Sequence, residues 1–354
     1  MYLTFVKRII FCILLILKTL EGVAQSPRFS FTSDAVTLEI SKNQNTPTFK
    51  VYKGVLTAID QTDGKKAVLG NLTESDTSIR FVPLLPFQKN SDYTVVCENE
   101  MYPFKIGLDT SYEYLHVETI YPNTTTLPSN FLKWYIRFSK PVNPSKIYDH
   151  IHLIDNNNTE VDRALLPLES PLLSDDGTLL TLWIEPGRQK RDLGPNKLLG
   201  EVLVPNTSYT LVIDKALKDH QGIPMNIDYT HSFTVTTSDR IKPTITSWEL
   251  RLPEAKTKDV LHINFQEILD YGSLQNTIQV LDGSGNEFEG IFTLHTNQKS
   301  IYFTPSNYWN KESYKISCKP VIEDISGNNL ERLFDRDITL KTTPPLLERS
   351  FGIE

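Results

Sequence analysis

The sequence predicts an all-β chain of tandem two-sheet sandwiches. Three observations predict it. A turn-and-tyrosine motif is written three times at nearly constant spacing, apolar and polar residues alternate with a period of two, and turn signals cut the chain into short runs with no long helical period.

The motif reads NSDYTVVC at 90–97, NTSYTLVI at 206–213 and KESYKISC at 311–318. A short strand ending in proline precedes each copy: SIRFVP (78–83), LTLWIEP (180–186) and SIYFTP (300–305). Tyr93, Tyr209 and Tyr314 advance by 116 and then 105 residues. The second and third copies continue through DHQGIP (219–224) and DISGNN (324–329) and close with FTVTT (233–237) and ITLKTT (338–343). Four landmarks in one order at one spacing define an internal duplication.

Strand character is explicit in LKWYIRFS. Leu132, Trp134, Ile136 and Phe138 fall on one side and Lys133, Tyr135, Arg137 and Ser139 on the other, the pattern of a half-buried strand. Leu261, Ile263 and Phe265 repeat it in the third copy, and DNNNTE (155–160), DDG (175–177) and DGSGN (282–286) supply turns. At 354 residues the chain exceeds one ordinary core.

The first residues are read apart from the fold. Lys7 and Arg8 precede the apolar run 9–17, and GVA at 22–24 offers a cleavage site, so residues 1–24 are expected to be a secretory signal. No second apolar run of spanning length follows, and no membrane span is expected after cleavage. The two remaining cysteines, Cys97 and Cys318, stand four residues after the repeated tyrosine, where the middle copy has Ile213. A position that accepts isoleucine is apolar, so both are expected to be buried free thiols. A net charge of −7 and pI near 5.6 argue against nucleic acid or an anionic membrane as partner.

In immunoglobulin-like sandwiches a tyrosine near the start of a late strand packs its ring in the core while its hydroxyl pins the preceding turn. Tyr93, Tyr209 and Tyr314 are read as such tyrosine corners. FSKPVNP (138–144), LTLWIEP, VPNTSYTLVI, the DHQGIP loop and FTVTT together resemble a bacterial Ig-like domain of the surface-layer (SbsA-type) kind. The resemblance covers 115–238 well and 243–343 more loosely, since FQEILD replaces FSKPV there. Residues 25–110 lack the D-x-x-G loop and are expected to form an atypical, shorter sandwich. The expected organisation is therefore 1–24 signal, 25–110 atypical sandwich, 111–240 Ig-like domain with an inserted loop, 241–345 Ig-like domain, and 346–354 tail. The resemblance implies an exported spacer, adhesion or docking module, periplasmic or at the cell surface, and implies no catalytic residue.

A search for chemistry agrees with that absence. His150 and His152 are two apart but lack further ligands nearby, Glu169, Asp175 and Asp176 are explained by a hairpin turn, and DGSGNEFEG lacks EF-hand spacing. His262 falls on the polar side of its strand. No nucleophile elbow, phosphate loop or HExxH is present, so no catalytic residue, metal or cofactor is expected.

One stretch stands out. The second copy places 22 residues between Pro186 and Tyr209, where the other copies place nine and eight, and the insertion GRQKRDLGPNKLLGEVL (187–203) carries Arg188, Lys190, Arg191 and Lys197. Trp183 points away from its core beside it, so these five residues are the candidate binding surface for an envelope protein or surface glycan. The alternative is that Leu198, Leu199 and Val202 fold back and cover Trp183. The leading expectation is a non-enzymatic exported binding or scaffolding protein of the bacterial envelope. The rivals are a carbohydrate-binding module using Trp183 with Tyr135 or Trp309, and an accessory subunit of a secreted hydrolase.

Overall fold

The structure is a computed structural model that describes residues 27–40, 48–190, 194–296, 298–335 and 344–354. The expected signal segment, Arg191 and the ITLKTT run lie outside the described residues. What is described is all-β, an Ig-like series of paired sheets that are antiparallel apart from one short parallel pairing, Thr126–Pro128 with Thr234–Thr236. It divides into two compact units, up to Tyr112 and from Glu113.

The first unit contains β1 (Arg28–Phe31), β2 (Val36–Glu39), β3 (Phe49–Lys53), β4 (Gly70–Glu74), β5 (Ser78–Pro83), β6 (Ser91–Cys97) and β7 (Glu100–Ile106). They form sheets β1-β2-β5-β4 and β3-β6-β7 over a core that includes Val36, Phe49, Phe81, Tyr93 and Phe104. The missing D-x-x-G loop has a local cause. Cys97 pairs with Glu100 across a tight turn in which Glu98 takes φ 55°, so a hairpin replaces the long connection.

The second unit holds two sandwiches. One is made of β8 (Val117–Tyr121), β9 (Thr126–Pro128), β10 (Lys133–Phe138), β11 (Ile151–Asp155), β12 (Leu172–Leu173), β13 (Leu179–Trp183), β14 (Ser208–Ile213) and β15 (Tyr229–Thr236), in sheets β12-β13-β10-β8 and β11-β14-β15-β9. The other is made of β16 (Glu249–Arg251), β17 (Leu261–Asn264), β18 (Ile278–Leu281), β19 (Gly290–Leu294), β20 (Ser300–Pro305), β21 (Ser313–Cys318) and β22 (Glu348–Gly352), in sheets β16-β17-β20-β19 and β18-β21-β22. Each has its own buried cluster, around Trp134 and Phe138 in one and Trp248, Phe265 and Trp309 in the other.

The three repeated tyrosines make one contact. Tyr93 accepts from Gln88 N at 2.8 Å, Tyr209 from Val204 N at 3.1 Å and Tyr314 from Asn310 N at 2.8 Å, each ring being buried. Gly70 and Gly290 are a further shared feature. They pair with Pro83 and Pro305, and a Cβ at either would strike the ring of Phe81 or Phe303. Cys97 and Cys318 are buried and free, and burial raises both thiols, Cys318 to about 12.

Two expectations change. Residues 346–354 are not a tail: β22 pairs with β21, and Phe351 and Ile353 are buried among Tyr314 and Trp309. Nor is β10 half-buried. Lys133 and Tyr135, on its supposed solvent side, are each only 9% exposed, because the neighbouring sandwich covers that face. Removing the Phe351 ring should leave a cavity costing about 3–5 kcal/mol. Denaturant unfolding of Phe351→Ala checks this, and a loss below about 1 kcal/mol would return the segment to a dispensable tail.

Candidate functional site

The basic insertion folds into two short helical turns, α1 (Pro186–Gln189) and α2 (Gly194–Leu199). Pro186 opens α1 and the Glu185 carboxylate accepts from Gly187 N at 3.1 Å, an ordinary helix start. Arg188 then turns inward. It is 5% exposed and donates to four backbone carbonyls, of Gly200 (3.0 Å), Asp162 (2.6 Å), Leu199 (3.2 Å) and Glu201 (3.0 Å). Five fixed donors suit a guanidinium to tying loop carbonyls together. Its burial lowers its pKa.

The other candidates scatter. Lys190 lies with its ammonium 4.4 Å from the Phe334 ring centre, and Lys197 is exposed on α2. Trp183 is partly covered. Leu198 and Leu199 are exposed, Val202 and Leu203 enter the core, and the Lys133 ammonium sits 4.5 Å from the Trp183 ring. Tyr135 and Trp309, the proposed sugar-stacking partners, are buried, and Trp309 is fully enclosed with its indole N–H given to Asp259 O at 2.8 Å. These rings do not form an open stacking surface.

The chemistry collects instead where the two sandwiches of the second unit meet. Lys133 from β10 lies 2.6 Å from Glu323 Oε1 and 3.4 Å from Asp270 Oδ2. Tyr135, two residues along the same face, donates to Asp270 Oδ1 at 3.0 Å, and Ser273 N donates to that oxygen at 2.7 Å. Gly272 lets the Tyr135 ring approach, since a Cβ there would overlap the phenol. Tyr121 stacks on Tyr271 at 4.1 Å, and Asn123 N donates to Gln298 Oε1 at 2.8 Å. On the far side Asn130 bridges both ways to the linker, donating to Asp239 O at 2.6 Å and accepting from Asp239 N at 2.8 Å. Ser326 Oγ also donates to Asn130 Oδ1. Arg240 and Asp335 close the rim at 2.9 Å.

Carboxylates outnumber cations inside this seam. Asp239, Glu267 and Asp324 bring oxygens within 4.8 Å of one another, and among the described residues they are the group that could hold a metal ion, with the all-oxygen donor set of a hard cation. Asp324 is fastened by Ser326 N (2.7 Å), Asn328 N (3.0 Å) and Asn328 Nδ2 (2.8 Å). Burial, only partly offset by those bonds, pushes Asp324 up to about 8. Burial and then the charge of Asp239 push Glu267 up to about 7. Burial likewise raises Glu323 despite Lys133, and it raises Tyr135 with help from Asp270. Sequence reading missed this group because its members come from a linker, a bend after β17 and a turn, 28 and 57 residues apart. Only the departure of FQEILD from FSKPV marked the place.

Elsewhere the acids and histidines serve locally. His152 meets Glu160 at 2.8 Å, and among the described residues the two are not part of a group that could hold a metal ion. Ser174 and Thr178 hold Asp176 down to about 2 in its turn, and Asp282 accepts from Ser284 and Asn286 within its own loop. His262 packs against Tyr302 at 4.8 Å, and burial lowers its pKa.

No protein-family model and no curated protein matches the chain. Among solved structures, native Escherichia coli alpha-2-macroglobulin spanning domains MG0-NIE-MG1 is similar at 13% identity and TM-score 0.24, over 58% of this chain and 66% of that one. The N-terminal eight Ig domains of Down syndrome cell adhesion molecule match at 12% and 0.21, over 91% and 38%. Tandem Ig repeats of Dlar match at 14% and 0.17, over 60% and 100%. The chain thus spans less than two-thirds of the first two structures. The class its own sheets define is a tandem Ig-like β-sandwich protein. No helix among the described residues is long and apolar enough to cross a membrane.

Two outcomes follow from this geometry. Arg188→Ala should free the insertion, so that limited proteolysis of the whole protein cuts within 187–203 at least about tenfold faster than in wild type; an unchanged rate would mean the four carbonyl bonds do not hold the loop. Glu267 and Asp324 bind protons more tightly folded, at about 7 and 8, than unfolded near 4, so the native state carries more protons across that interval and stability falls as pH rises through it. The melting temperature should drop between about pH 5.5 and about pH 8.5, and Glu267→Gln should flatten the drop; parallel curves for the two proteins would contradict it.

Proposed function

We propose that this chain is an exported, non-enzymatic binding and scaffolding protein of the bacterial envelope or surface, of the surface-layer Ig-like kind, whose second and third sandwiches work as one stiff element. The observation that carries this reading is the seam. Lys133, Tyr135, Asp270 and Glu323 are paired under cover, and separating the sandwiches would give up both ion contacts and the Tyr135–Asp270 hydrogen bond together. A partial shift that draws Lys133 away from its partners without admitting water would leave a charge unpaired under cover, so small motions at the joint are resisted. A fixed angle between modules is what a spacer or presenting element requires. An envelope protein or a surface glycan is the partner class that such an element serves, in the periplasm or outside the cell.

The reading is tested on the whole protein with spin labels at Ile227→Cys and Ile291→Cys, both exposed, one on each sandwich. The distance distribution should be narrow, and Lys133→Met should broaden it at least about twofold. A broad distribution in the wild-type protein would remove the stiffness, and equal breadth in both proteins would remove the Lys133 pairing as its cause. Crosslinking in the native cell should then recover an envelope protein or glycan, and recovery of cytoplasmic proteins alone would overturn the assignment to the envelope.

A further inference from the structure

A cavity of about 400 Å³ opens at the side of the third sandwich, between the edges of β18 and β19. Its walls include Ile278, Val280, Phe292, Leu294, Ile301 and Phe303, and its rim carries the amides of Gln275, Asn276 and Gln279. That volume lies within the usual range for small-molecule sites.

The duplication shows what belongs there. β11 and β18 pair with their tyrosine-bearing strands in the same register, Ile151 opposite Ile213 and Ile278 opposite Cys318, each partner four residues past the corner tyrosine. Their turns match bond for bond: Val161 N donates to Leu153 O at 2.8 Å, and Phe288 N to Val280 O at 2.7 Å. Three residues ahead of the strand, the second sandwich has Tyr148 and the third has Gln275. Tyr148 packs its ring against the core, and its hydroxyl meets the backbone of Leu168. Leu168 comes from an excursion between the pairs Leu165–Ile184 and Leu172–Thr181, whereas the third copy runs straight through as β19. Gln275 is exposed and turns its amide back to Tyr271 O at 3.3 Å. The third sandwich therefore lacks both the ring and its cover.

We propose that this cavity is a binding site for a small neutral phenol, whose ring takes the place that Tyr148 fills in the second sandwich. The flat faces of Phe288 and Phe292 offer offset or edge contacts to a ring, and the amide rim offers partners for one hydroxyl. Glu287 is the one charged side chain among the described lining residues, which include no cation, so an anionic aromatic acid is disfavoured.

The test uses p-cresol, the tyrosine side chain as a free molecule, added to the whole protein with methyl-labelled Ile, Leu and Val. The Ile278, Val280, Leu294 and Ile301 methyl signals should shift saturably with p-cresol, and p-toluate should bind at least about tenfold more weakly. Gln275→Tyr fills the site from within and should weaken p-cresol by at least about tenfold while raising the melting temperature. Leu294→Trp is a second way to fill it, should the first variant fail to fold. The proposal is overturned if p-cresol leaves those methyls unmoved, or if it shifts them equally in the filled variant.

Discussion

An ammonium group removed from water needs its charge answered on the spot, and Lys133 is answered by Asp270 and Glu323 from the next sandwich. That constraint organises the second unit. Lys133 and Tyr135 project from the outer face of β10, so pairing them lays the third sandwich against the second and buries both sides of one strand. Asn328, held by Asp324, and Asn130 then fix the linker by donating to Asp239 O, and Ile325 from the third sandwich packs on the core of the second. Burial in the seam, with the charge of Asp239 adding to it, raises Glu267 and Asp324 into the neutral range. The joint therefore holds most firmly where those carboxyls keep their protons.

The D-x-x-G loops show how one piece of local chemistry serves two ends. Asp219 accepts from Gln221 N and Ile223 N, and Asp324 accepts from Ser326 N and Asn328 N, the same self-contained turn. In the second sandwich His220 and Gln221 of that loop are exposed, whereas in the third Ile325, Ser326 and Gly327 meet Leu132 and Asn130. The basic insertion followed a similar course. Its charge looked like a surface feature, yet its first arginine, Arg188, bonds the carbonyls of its own loop. A guanidinium can satisfy several carbonyls at once, and short helical turns with open ends leave carbonyls to satisfy.

Duplicated sandwiches need not stay equally filled. Once a seam supplies stability to the pair, one copy can lose a ring such as that of Tyr148 and remain folded, because a single vacancy costs a few kcal/mol against a core of many residues. The gap at Gln275 is a difference between sister folds that share register, turn and corner tyrosine.

What the sequence determined by itself was everything that depends on neighbours along the chain. The alternation in LKWYIRFS, the turns at 155–160 and 282–286 and the tyrosine hydroxyls that reach back four or five residues are local, so they could be read directly. The burial of Cys97 and Cys318 followed from their alignment with Ile213. Tertiary structure decided what depends on the other side of a contact. Alternation marks two faces of β10 but cannot say that a second sandwich covers the polar one. A net charge cannot say that Arg188 faces inward, and 346–354 looks like a tail until Phe351 is set beside Tyr314. The trio of Asp239, Glu267 and Asp324 arises only when a linker, a strand end and a turn converge, and no spacing along the chain records a meeting made by the packing of two domains.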